Sequence, residues 1–156
     1  MMRREKDFLC SVLILSFVFA FFSCSTKKAG QGIETSSYNS TDSHNVGTDC
    51  LSCHNSGGSN PYWFYLAGTV YKPDESSLNP NSTIYLFTSG NGGGTLAAML
   101  PVDGKGNFYT TTMFNFNSAL YPGVKSSSGE TRYMQSSTKN GDCNSCHVAL
   151  KRIIVN

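Results

Sequence analysis

Two short runs of the chain each place two thiols and an imidazole within five residues: Cys50-Leu51-Ser52-Cys53-His54 and Cys143-Asn144-Ser145-Cys146-His147. Several chemistries use such an arrangement. Two thiols three positions apart can reach the two vinyl groups on one porphyrin edge as thioethers, and the following His then caps the iron. Four thiolates from two CxxC knuckles can hold one tetrahedral zinc. Each pair can oxidise, or the pairs can crosslink, to form disulfides. A thioredoxin-like redox site is the weakest reading, because it wants a βαβ setting that the chain lacks. Neither disulfides nor zinc explains why His follows both pairs. Outside the pentapeptides the match continues. Asp49 and Asp142 precede them, and Ser52 and Ser145 occupy the same inner position.

On the haem reading, His54 and His147 are the proximal ligands and the expected cofactors are two covalently attached haem c groups. His44 is the one further histidine of the chain. It is either a distal ligand or a solvent-exposed residue in a polar arm. Methionine is the other common axial partner. Met134, nine residues before Cys143, is the favoured candidate. Met99 and Met113 fall on expected strands, where methionine more often fills core.

The two motifs resemble those of the diverse cytochrome c-like and multihaem proteins, over about ten residues. The resemblance implies an electron carrier working with other envelope redox proteins. An enzyme is the less favoured reading, and a β-sandwich binding or structural protein stapled by a four-cysteine zinc site or by disulfides is the alternative. One departure stands out. Only nine residues follow His147, with neither a helix nor a methionine downstream as single-domain cytochromes c have.

The cysteine count fits export. Arg3, Arg4 and Lys6 precede an apolar run from Phe8 to Phe22. Fifteen residues span only about 22 Å as a helix, too short to cross a bilayer comfortably, so residues 1–23 read as a signal peptide. A permanent anchor helix is the other possibility. Ser23-Cys24 closes the run and resembles a bacterial lipobox, which implies that Cys24 is lipidated. Cys10 would leave with the signal. Residues 24–48, rich in Ser, Thr, Asn and Gly, read as a flexible tether. The expected location is the periplasm or outer cell surface, with the membrane engaged through the lipid. A net charge of +2 and no basic stripe give no support to nucleic-acid binding.

Residues 49–156 form one expected domain with a core over about 62–135. Segments 62–72, 82–88, 95–102 and 107–114 read as strands, 118–124 and 130–135 as shorter ones. Between them, 89–94 is glycine-rich and Asp103-Gly104-Lys105-Gly106 is a tight turn. This spacing predicts a mainly β fold, a small antiparallel β-sandwich flanked by the two CxxCH segments, with little helix. Gly68-Thr69-Val70 and the run from Asp103 to Phe108 resemble carboxypeptidase-regulatory-like or prealbumin-like sandwich modules, which implies the same fold. Residues after His147 could make a final helical turn or a strand.

Overall fold

The computed structural model describes residues 33–58, 60, 62–147 and 151–156. The signal peptide, Cys10, Cys24 and the first part of the tether lie outside them. Among the described residues seven strands follow one another as β1 Leu66–Tyr71, β2 Thr83–Ser89, β3 Gly93–Pro101, β4 Asn107–Thr110, β5 Tyr121–Lys125, β6 Thr131–Tyr133 and β7 Ile153–Ile154. They form a three-stranded sheet, β4-β1-β7, and a four-stranded sheet, β3-β2-β5-β6. The fold is the small, mainly β sandwich that the turn spacing predicts. Among the described residues the helical content is a 3-10 turn at Cys50–Ser52 and one short helix, α1, at Cys143–His147.

Turn chemistry sets the register. Asn91 and Gly92 both have positive φ, 54° and 74°, and the Gly93 N–H closes the β2–β3 hairpin on the Gly90 carbonyl at 3.0 Å. At the β3–β4 turn the Asp103 carboxylate accepts from the Lys105 and Asn107 N–H groups at 2.8 and 2.9 Å. Alternation then does its work on β2. Ile84 and Leu86 face inward and are buried, while Tyr85 and Phe87 lie on the outer face. Ile84 and Leu86 meet Leu66 and Val70 of β1, Leu100, Phe108, Val124 and, from the far end of the chain, Val155. The core therefore reaches past residue 135.

Two features exceed the sequence reading. The chain's last strand, β7, adds to β1 in parallel, with Val70 opposite Ile153 and Tyr71 opposite Ile154. The arm before the first motif is tied down from Glu34 onward. Thr35 bridges Thr110, the Ser36 N–H donates to the Tyr109 carbonyl at 2.9 Å, and the Gly47 N–H donates to Thr69 Oγ1 at 3.0 Å. Ser36 is buried. A polar sequence lacking apolar period looks like tether because its attachment is made by hydrogen bonds of backbone and small polar side chains, which leave no apolar pattern.

Candidate functional site

Both CxxCH segments dock on β1, and they are built alike. In the first, Asp49 Oδ1 accepts from the Ser52 N–H at 3.1 Å and Ser52 Oγ donates to the Asp49 carbonyl at 2.7 Å. In the second, Asp142 Oδ1 accepts from the Ser145 N–H at 3.3 Å and Ser145 Oγ donates to the Asp142 carbonyl at 2.7 Å. The recurring aspartate and serine thus nucleate one capped turn each, by the same two bonds. Close backbone approach holds each turn in place. A Cβ at Gly58 would strike the Cys53 carbonyl, and one at Gly141 would strike the Tyr65 carbonyl.

The inner position that differs between the motifs matters most for docking. Asn144 is 2% exposed. Its Oδ1 accepts from the Thr69 N–H at 3.0 Å, and its Nδ2 donates to the Thr48 carbonyl at 2.7 Å and to Thr69 Oγ1 at 3.2 Å. On the same edge of β1 the Ala67 N–H reaches the Gly141 carbonyl at 2.9 Å, and the Val155 N–H reaches the Tyr71 carbonyl at 3.1 Å. The Asn144 amide therefore stands in for strand backbone where α1 interrupts the ladder, and it joins the second motif to the residue before Asp49. Residue types and spacing alone do not announce this role. Its one visible signal is that Asn144 replaces Leu51 in otherwise matching surroundings.

Each motif lines its own cleft. Cleft 1, about 570 Å³, gathers Cys50, Cys53, His54 and His44 with Tyr62, Phe64 and Tyr109. Cleft 2, about 520 Å³, gathers Cys143, Cys146, His147 and Met134, with the buried core residues Leu66, Ile84, Leu86 and Val124 beneath it. The buried Phe108 borders both. Gly68 makes this possible, because a Cβ there would lie 2.5 Å from the Phe108 ring and 3.0 Å from Cys143 Cβ. In cleft 1 the His54 ring stacks on Phe64 at 4.0 Å and 9°, Phe64 stacks on Tyr109 at 4.8 Å, and His44 lies 5.8 Å from His54.

Backbone carbonyls orient both imidazoles. His54 Nδ1 lies 3.0 Å from the Tyr62 carbonyl and His147 Nδ1 lies 2.7 Å from the Lys151 carbonyl. A carbonyl only accepts, so Nδ1 carries the proton and Nε2 keeps its lone pair in the neutral ring. The thiols divide into two kinds. Cys53 and Cys146 are exposed, whereas Cys50 and Cys143 are half-buried, and all four are free. Burial, then the charges of Asp49 and Asp142, pushes the Cys50 thiol up to about 11. Burial, then the Asp142 charge, pushes Cys143 up to about 12. Between the motifs, burial together with the charge and hydrogen bond of Asp49 raises the Asp142 carboxyl above its ordinary range.

The site and fold define a small β-sandwich domain with two thiol-lined clefts. No protein family, curated protein or solved structure matches the chain, so neither sequence resemblance becomes a membership. The dihaem electron-carrier expectation is corrected. The chain folds as a mainly β sandwich of three and four strands, not as the typically helical, haem-cradling fold of c-type cytochromes. Among the described residues, no group of three or more His, Cys, Asp and Glu is arranged to hold a metal ion. With that expectation go its two haem c groups. The alternative staple is corrected on the same ground, since the four thiols form neither a zinc-binding cluster nor a disulfide. The motif misled because it specifies one capped turn, and one turn fits many folds.

Proposed function

We propose that this domain is a binding module of the cell envelope, holding small, largely apolar ligands in its two clefts. The observation that carries the reading is that each CxxCH segment walls a separate cleft of about 500–600 Å³. That is the size range of small-molecule sites, and mainly apolar walls with a few fixed polar groups are their usual make-up. In each cleft the fixed polar group is an imidazole whose Nε2 lone pair is left to accept a hydrogen bond from a ligand. Binding is favoured over turnover because the inner thiols, at about 11 and 12, stay protonated at neutral pH and are poor nucleophiles. The apolar run ending at Ser23-Cys24 supports export and attachment to the membrane through lipid on Cys24.

Titration of the reduced full chain with N-phenyl-1-naphthylamine, a neutral apolar fluorophore, tests the proposal. The expected result is saturable enhancement at two sites per chain. Enhancement that never saturates, or none at all, contradicts it.

A further inference from the structure

Although the motifs repeat, the rims of the two clefts carry opposite charge. Three carboxylates, Glu34, Asp42 and Asp49, line cleft 1, and among the described residues no Lys or Arg does. The nearby Lys105 is engaged, its Nζ donating to the Ser43 carbonyl at 2.7 Å. Around cleft 2 stand Arg132, Lys139, Lys151 and Arg152 against the single carboxylate of Asp142. Arg132 pairs with Glu130 at 2.7 Å, and the Arg152 guanidinium lies 4.1 Å over the Tyr71 ring. Lys139 and Lys151 are exposed and make no ion pair among the described residues.

Resting on the binding role proposed above, we infer that the clefts sort ligands by charge: cleft 2 takes an amphipathic anion with an apolar body and a carboxylate, and cleft 1 takes a neutral or cationic apolar ligand. The apolar body of the anion fits against the half-buried Pro122, Met134 and Ile153 of cleft 2, and its acid pairs with Lys139 and Lys151 of the same lining. In cleft 1 the same acid would face three carboxylates, Glu34 and Asp42 exposed and Asp49 half-buried, and like charges repel. Tyr109 reports that field. Its hydroxyl is held above the ordinary tyrosine range by burial and then by Asp103, Asp42 and Glu34.

The full chain is titrated with three probes: neutral N-phenyl-1-naphthylamine, anionic 1-anilinonaphthalene-8-sulfonate, and a dansyl fluorophore bearing trimethylammonium. The anionic probe is expected to saturate at one site. In Lys139→Glu/Lys151→Glu its affinity relative to the neutral probe should fall about tenfold, because two exposed charges reverse sign. In Glu34→Lys/Asp42→Lys the cationic probe should lose affinity to the same degree, and added salt should shrink both differences. Circular dichroism confirms that each variant keeps its strands. If the neutral probe fills both clefts while the variants leave the charged probes unmoved, sorting by charge is wrong and the binding role stands. If no probe saturates, the neutral one included, the binding role itself fails.

Discussion

Replacing Asn144 by Ala removes the one side chain that splices the second motif onto β1 and onto Thr48. Its three hydrogen bonds vanish, and the Thr69 N–H, in a residue only 1% exposed, is left without an acceptor. A buried donor stranded in this way costs about 1–3 kcal/mol, and loss of the bond to the Thr48 carbonyl adds about 1 kcal/mol. The expected loss is thus about 2–4 kcal/mol, or about 8–16 °C in Tm for a domain of this size. Urea unfolding followed by circular dichroism measures it. Leu51→Ala, the matching position of the first motif, supplies the comparison. Leu51 makes no polar side-chain bond and is half-buried, so it should cost only about 1 kcal/mol. Freed of its splice, α1 should also open locally, so that Cys143 alkylates under native conditions in Asn144→Ala but not in the parent chain. A loss below about 1 kcal/mol together with an unreactive Cys143 would refute the splice.

Other expectations follow from the same geometry. Native alkylation with iodoacetamide at pH 8, mapped by peptide mass, should modify the exposed Cys53 and Cys146 and spare Cys50 and Cys143 until the chain unfolds. Stability should fall on alkaline titration. The folded chain keeps thiol protons that the unfolded chain loses above about pH 9, so each buried thiol removes about 1.4 kcal/mol per pH unit until its folded pKa is passed, and Cys50→Ser/Cys143→Ser should flatten the decline. For Asp142 the folded carboxyl holds its proton where the unfolded one has lost it, so this residue costs stability as pH rises from the acid range. Asp142→Asn should therefore raise Tm at pH 7, and the gain should shrink on acidification. Gly141→Ala should displace the second motif, because the added Cβ meets backbone at Tyr65 that cannot move aside, and fluorescent-probe binding at cleft 2 should be lost while cleft 1 remains.

Fold and site were legible to different depths. Strands with sharp turn chemistry could be placed from residues alone: Asn91-Gly92 and Asp103 to Asn107 fix their hairpins locally, and Ile84 and Leu86 alternate with Tyr85 and Phe87. Strand β7 is compatible with helix or strand on its residues alone, because its pairing to β1 is parallel and joins residues more than 80 positions apart, so no local turn announces it. The pinned arm at 34–48 is hidden for a related reason, since its hydrogen bonds, from backbone and from small polar side chains alike, run to residues far along the chain. In the motifs, the repeated Asp and Ser were visible, and they do the same local work twice. What the repeat concealed was difference. Asn144 joins the two segments while Leu51 does not, and the surrounding loops give the clefts rims of opposite charge. A five-residue pattern carries its own turn but not the fold around it, which is why the likeness to cytochrome c motifs does not extend to the domain.

The most direct test of the two-cleft account is thiol protection. With N-phenyl-1-naphthylamine at saturation, the alkylation rates of Cys53 and Cys146 are measured by peptide mass. The account predicts that both rates fall together, because each exposed thiol lines one of the occupied clefts. Bound probe with both thiols reacting at their free rates would place the ligand elsewhere and contradict it.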